Sequence, residues 1–260
     1  MWLKVDLHTH SGEDPIDTFI KHSARDLVQR AIESGYHALA ITNHTHIHYD
    51  PDLTSFAADN GLVLIQGMEA NVQGKHVLFY CPRDKQVIDE MNHASRQANG
   101  NLSFDEVRRL KEKGLVTLVM APHPYHLLPF CLGDEFIANY DLFDLAEVSW
   151  YGTRFEGPFS LLNRNQKTKT EAERLASLNG HNVILFASSD AHHLENFGRA
   201  YSSVEAEPDL ESIVKVLRSG DQSGIALANP PVPVVSYFAQ PFVFLVEYAA
   251  DSILHKFRRR

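Results

Sequence analysis

The sequence predicts an α/β chain whose strands run parallel and close, or nearly close, into a barrel. Three observations lead there. Seven short, apolar, β-rich runs recur between Leu3 and Val204, segments with helical periodicity separate them, and His, Asp and Glu gather where the runs end. Strands alternating with helices imply parallel βα units, and seven of them suggest a barrel, with a doubly wound open sheet as the alternative.

The runs are Leu3–Leu7, Ala38–Thr42, Leu62–Gly67, Val116–Ala121, Leu145–Val148, Val183–Ser188 and Ala200–Val204. After the first, Ile20, Ala24, Leu27, Val28, Ala31 and Ile32 repeat at helical spacing. Glu69–Val72 and His76–Tyr80 flank Gly74-Lys75 and read as an extra hairpin decorating the third unit. Ser103 with Glu106 forms a capping box that opens a charged helix from Asp105 to Lys113. Ile213, Val214 and Leu217 before Gly220 mark a last helix.

The barrel is therefore assigned residues 1–228 and a second segment 229–260. Asn229-Pro230-Pro231-Val232-Pro233 reads as a rigid exit from the repeating part. Val232–Val246 carries no charge but is only 15 residues long and holds Gln240 and Pro241, too short and broken for a transmembrane span. Lys256 and Arg258–Arg260 follow. This apolar, helical extension is expected to pack on the barrel or at a homo-oligomer interface; a surface-lying membrane anchor with a basic tail is the alternative.

Composition narrows the function classes. Lys+Arg 24 against Asp+Glu 33 gives a net charge of −9, which disfavours a general nucleic-acid or anionic-membrane binder unless bound cations invert the charge locally. Cys81 and Cys131 are the only cysteines, which fits a reducing compartment without a disulfide framework and excludes a thiolate zinc site. Met1–His10 carries charge and His where a signal peptide needs an apolar run, so a cytoplasmic enzyme is expected.

The 15 His are in excess, and their positions give the cause. The first run leads into Asp6-Leu7-His8-Thr9-His10, the second into Thr42-Asn43-His44, the third into Gly67-Met68-Glu69, the fourth into Pro122-His123-Pro124 and the sixth into Ser189-Asp190-Ala191-His192. In a βα barrel those carboxyl ends converge on one face, where active sites are built. His8 and His10, two apart on an extended segment, share a side and can chelate one ion. A lone pair of this kind is weak evidence, since two His at a strand end are often solvated. With His44, Glu69, His123, Asp190 and His192 at matching ends, so many ionisable groups in one cleft would be poorly solvated and mutually repelling without cations.

In this order the motifs Asp6-Leu7-His8-Thr9-His10-Ser11, Ile41-Thr42-Asn43-His44, Gly67-Met68-Glu69, Ala121-Pro122-His123-Pro124 and Ser189-Asp190-Ala191-His192 resemble the polymerase and histidinol phosphatase (PHP) superfamily of metal-dependent phosphoesterases. The resemblance implies a distorted, TIM-like (β/α)7 barrel holding two to three divalent ions of zinc, manganese or iron. It implies that His8, His10, Glu69 and Asp190 hold one ion, and that Glu69 bridges to a second held by His76 and His123. A third would take His44, His192 and an acid after the first motif, Asp14 or its competitor Glu13. Asn43 departs from the family, where Asp is common; it can orient a ligand or water but cannot act as a base.

The resemblance also implies the chemistry. Divalent ions would make hydroxide from water at neutral pH and stabilise phosphoryl charge, so His8, His10, Asp190 and His192 are catalytic candidates. No P-loop and no G-x-S-x-G elbow supplies another mechanism. His46 is a candidate leaving-group acid and His48 a substrate contact, both in the loop after the second run, with solvation as the plain alternative. Arg199 and Arg154 are candidate phosphate clamps, because a guanidinium fork matches phosphate geometry. Glu147 reads either as an outer hydrogen-bond acceptor or as a capped core acid, and His126, three past His123, as an ordinary residue with the pocket rim as the alternative. The expected function is hydrolysis of a phosphomonoester or of a small nucleotide or oligonucleotide phosphodiester by metal-activated hydroxide. Histidinol-phosphate phosphatase is the first rival. A non-catalytic, metal-stabilised interaction module is the second.

Overall fold

The computed structural model describes residues 1–126, 128–149 and 164–228. Arg154 and the whole of segment 229–260 lie outside the described residues. Among the described residues ten strands form one mixed sheet: β1 (Trp2–Asp6), β2 (Ala38–Ile41), β3 (Val63–Val72), β4 (Lys75–Cys81), β5 (Asn101–Leu102), β6 (Leu118–Ala121), β7 (Leu145–Ser149), β8 (Ile184–Ser188), β9 (Tyr201–Glu205) and β10 (Ile225–Ala228). Around them pack α1 (Ala24–Glu33), α2 (Pro51–Asp59), α3 (Lys85–Gln97), α4 (Phe104–Glu112), α5 (Asp134–Ala138), α6 (Arg164–Asn179) and α7 (Leu210–Leu217).

The sheet order is β10-β9-β1-β2-β3-β4-β6-β7-β8, with β5 paired to β3. It curls into a nearly closed barrel. At the seam, Ser202 Oγ on β9 accepts from Ala187 N (2.8 Å) and donates to Ala187 O (3.1 Å) on β8. Beyond β1 and β8 the seam tightens, where Asp190 N donates to His8 O (2.8 Å) and Thr9 bridges to Ala191 in parallel register. The expected barrel is present, but two strands break the all-parallel pattern. β4 is a wall strand lying antiparallel between β3 and β6, rather than a decoration. β9 runs antiparallel to β1.

Alternation along the strands divides the core. Leu3, Val5 and Leu7, Ala38 and Ala40, Leu78 and Tyr80, and Leu118 and Met120 fill the barrel interior with Phe186 and Val204. Their neighbours Val77, Phe79, Val119 and Ala121 face outward under the α3–α5 side, and Leu39 and Ile41 face α1 and α2. The capping box at Ser103 and Glu106 opens α4, and an equivalent one at Ser23 and Asp26 opens α1, each satisfying N–H groups that the first helical turn leaves unpaired. The packed interior closes one end, so the loops after the strands build the other. No helix among the described residues is long and apolar enough to cross a membrane.

Candidate metal centre

β1 runs straight into the cluster. His8 and His10 leave its end two residues apart, both fully buried, and their Nε2 atoms converge to 3.2 Å. Glu69 Oε2, from β3, lies 3.4 Å from each. Asp190 Oδ1, after β8, lies 3.3 Å from each. These five separations, 3.2–3.4 Å, are the size expected between donors that share an ion at about 2.0 Å, the usual zinc–nitrogen and zinc–oxygen bond length. The donor set therefore fits a divalent ion.

The second Glu69 oxygen serves another group. Oε1 is 2.8 Å from His76 Nδ1 on β4 and 3.3 Å from His123 Nε2 after β6. Because β4 is part of the wall, its register sets Ala70 and Asn71 against Val77 and His76 and brings His76 to the carboxylate across the hairpin. Gly67, two residues before Glu69, allows this close approach, since a Cβ there would lie 2.8 Å from Phe79 O. His123 (φ 31°) and Asp190 (φ 47°) both occupy left-handed backbone, a strained conformation for a residue with a side chain and one that gathers at functional sites.

A third group involves an acid other than Asp14 and Glu13. Asp17 Oδ2 is 2.9 Å from His192 Nε2 and 3.9 Å from His44 Nδ1. Asp14 is also buried beside His44, but its oxygens are engaged. Oδ1 accepts from Ile16 N (2.8 Å) and Asp17 N (3.0 Å). Oδ2 accepts from His44 N (2.8 Å) and lies 2.9 Å from His44 Nδ1 and 3.1 Å from His10 Nδ1. Glu13 points away and caps Ala24 N at 2.8 Å. His44 Nε2 faces Glu69 Oε2 at 3.2 Å, which ties this group to the first.

Outer partners fix the rings. Glu147, fully buried on β7, meets His8 Nδ1 (3.0 Å), Ser188 Oγ (2.6 Å) and His123 N (2.8 Å). It is thus an outer hydrogen-bond acceptor. With the Nδ1 atoms of His8 and His10 held on carboxylates, their Nε2 atoms are left facing the cluster. Asn43 Oδ1 accepts from Ser11 N (2.9 Å) while its Nδ2 donates to Ser11 Oγ (2.9 Å), so this residue fastens the second motif to the first. Asp6 Oδ1 accepts from His8 N and Ser189 N, both 3.2 Å, joining first and last motifs, and burial pushes this carboxyl up to about 7.

The electrostatics show a site that demands positive charge. Burial opposes ionisation throughout, yet the His10 and His44 bonds hold the Asp14 carboxyl well below its usual range, and the surrounding imidazoles do the same for Glu69 and Asp190. Burial alone would lower the His44 imidazole, but Glu69 and Asp14 outweigh it and hold it up at about 10. Carboxylates this unwilling to be protonated need cations close by, whether imidazolium or metal.

Burial, with the nearby His48 and Arg96, lowers the half-buried His46 imidazole against the weaker opposing pull of Asp14. His126 sits beside the second group, its ring 6.0 Å from that of His123 and its Nε2 3.1 Å from Ser149 Oγ; burial and His123 push it down to about 3, a neutral imidazole. His193 turns toward Phe19, centroids 6.1 Å apart. Arg199 is half-buried in the turn entering β9, where its N–H bonds to Asn196 O (3.2 Å). Sequence reasoning missed the buried acid Asp17 beside His192. Its signal was slight, a third acid in the stretch Glu13–Asp17.

The sequence model of the PHP domain family matches residues 6–191, and that of a PHP-associated family matches 168–221. The DNA polymerase III PolC-type of Oceanobacillus iheyensis is 33% identical over 88 residues, 34% of this chain and 6% of the polymerase. That of Bacillus subtilis is 36% identical over 69 residues, 26% of this chain and 5% of the polymerase. The matched stretches are thus a small part of these much longer proteins. The crystal structure of PsfC from Pseudomonas syringae superposes with a TM-score of 0.58 over 97% of this chain and 99% of that one, at 16% identity, a likeness of fold.

Proposed function

Because this chain belongs to the PHP domain family, we propose that it is a metal-dependent phosphoric ester hydrolase acting on a phosphomonoester or on a small nucleotide or oligonucleotide phosphodiester. The observation that carries the reading is the convergence of Glu69 Oε2 and Asp190 Oδ1 on the paired Nε2 atoms of His8 and His10, with Glu69 Oε1 turned toward His76 and His123. His8, His10, Glu69 and Asp190 would hold one divalent ion, and Glu69, His76 and His123 a second. His192 and Asp17 would serve a third, with His44, whose Nδ1 meets Asp14 and whose Nε2 faces Glu69 Oε2, standing between it and the first; the Asp14 oxygens are already committed to two imidazoles and three main-chain N–H groups. Zinc, manganese and iron all suit such nitrogen and oxygen donors. When bound, the ions supply a hydroxide nucleophile at neutral pH and Lewis-acid stabilisation of the phosphoryl oxygens.

The chain's own residues do the rest. Glu147 and Asp14 orient the His8, His10 and His44 rings. The partly exposed edges of Asp190, His44, His192 and His76 (11–17% of each side chain) mark the side from which a phosphate ester would approach. Neutral His126, bonded to Ser149 Oγ beside the second group, would offer a hydrogen bond to a substrate oxygen without adding charge, and His46, in the loop after β2, would serve as the leaving-group acid. Asn43 serves as a fastener between motifs and leaves the donor set complete, which supports an enzyme over an interaction module.

Turnover of a panel of phosphomonoesters, nucleotides, dinucleotides and histidinol phosphate, with manganese or zinc, tests the reading. Phosphate release abolished by His8→Ala and by Asp190→Ala is expected; unchanged turnover in both variants would place the chemistry elsewhere.

A further inference from the structure

Where His8, His10, His44 and His192 set Nδ1 against oxygen, His123 sets it against sulfur. Cys131 Sγ, buried, lies 3.3 Å from His123 Nδ1. The preceding residue holds the other imidazole of the same pair. Phe130 O accepts from His76 N at 2.8 Å, and the Phe130 ring stacks on His76 (centroids 4.3 Å apart, planes at 15°) while meeting His123 edge-on (5.8 Å, 74°). The loop itself is pinned. Lys75 Nζ donates to Pro129 O (2.8 Å), and Gly133 N donates to Pro124 O (2.8 Å) beside His123.

We infer that the dipeptide Phe130-Cys131 is the positioning element of the second ion position, with Phe130 fixing the His76 ring and Cys131 fixing the tautomer of His123. This rests on the proposed function, since it concerns residues that serve that ion. An ion at His123 Nε2 requires the ring proton on Nδ1, and Cys131 Sγ is there to accept it. Sulfur is a weaker acceptor than the carboxylates behind His8 and His10, so the second position is the more weakly held of the two.

The test uses the full chain and zinc, with affinities read by chelator competition and stoichiometry by elemental analysis. Cys131→Ala is expected to weaken one zinc by about 10–100-fold, the usual effect of losing an outer partner, while the tightest zinc keeps its affinity. Cys131→Ser, whose hydroxyl still accepts, stays within a few-fold of wild type. Nitrogen NMR of the imidazoles should show His123 protonated on Nδ1 in the zinc form of wild type and Cys131→Ser. Phe130→Leu, which keeps the main-chain acceptor but loses the stacked ring, weakens the same zinc and provides the test should Cys131→Ala fail to fold.

Wild-type zinc affinities throughout Cys131→Ala, or in Phe130→Leu where that stands alone, overturn the inference while leaving the proposed function intact. Equal weakening of every zinc together with lower stability also overturns it, because that is a folding effect. Wild-type protein that binds no zinc overturns both.

Discussion

Glu147→Gln is the perturbation that separates an ordered metal centre from a mere gathering of polar residues. The carboxylate takes three donors in a fully buried position: His8 Nδ1 and Ser188 Oγ at Oε1, and His123 N at Oε2. A carboxamide has one accepting oxygen and one donating nitrogen, so it cannot serve all three. With its oxygen toward His8 and Ser188, its NH2 meets the His123 main-chain N–H, donor against donor, at a cost of about 1–3 kcal/mol. Turned the other way, Ser188 can rotate to accept, but His8 must move its proton to Nε2 and ceases to be a ligand. Loss of the charge-assisted bonds adds to either outcome. The expected result is about 2 kcal/mol less stability in the chelated protein, a fall of roughly 4–8 °C in Tm for a chain of this size. Zinc affinity should fall about 10–100-fold, equivalent to about 1.4–2.8 kcal/mol. Urea unfolding of the chelated form and chelator competition measure the two effects separately. Zinc affinity within twofold of wild type, with an unchanged urea midpoint, would refute the claim that Glu147 sets the His8 ring.

Other outcomes follow from the same geometry. Asp17→Asn should remove one ion from the count and leave the tightest in place, whereas Asp14→Asn should loosen His10 and His44 together and weaken more than one; elemental analysis after dialysis distinguishes them. In the chelated protein the His44 imidazole is held at about 10 against 6.5 for the free side chain, so its contribution to stability is complete below pH 6.5 and is lost as pH rises through about 10. Thermal melts of chelated protein should therefore fall between pH 6.5 and pH 10, and a flat or rising Tm over that range would contradict the paired cluster. Gly67→Ala places a Cβ 2.8 Å from Phe79 O in the β3–β4 ladder and should cost about 1–3 kcal/mol, read as a lower urea midpoint with reduced zinc affinity because Glu69 moves with the strand.

Much of the centre was legible because chemistry and topology coincide. Each of His8, His44, Glu69, His123 and Asp190 stands just past an apolar run or at its end, and strand alternation alone puts His8 and His10 on one side. The barrel was legible from the alternation of strand and helix. Strand direction was not, because an apolar run such as Ala200–Val204 reads the same whether it pairs parallel or antiparallel, and β9 pairs antiparallel to β1. The role of β4 escaped for a related reason. Its hairpin with β3 is local, whereas its pairing with β6 joins Leu78–Tyr80 to residues about 40 positions away. Asp17 and Cys131 sit in irregular loops without periodicity, where only the folded chain shows which oxygen or sulfur meets which imidazole.

The central claim is that the His, Asp and Glu side chains at the strand ends form one cation-binding centre. Elemental analysis of protein purified without chelator, set beside the same preparation of Asp190→Ala, tests it most directly. Two to three divalent ions per chain in the wild type, with fewer in the variant, is the result this account predicts. Wild-type protein that carries none, and that neither zinc nor manganese stabilises against heat, would contradict it.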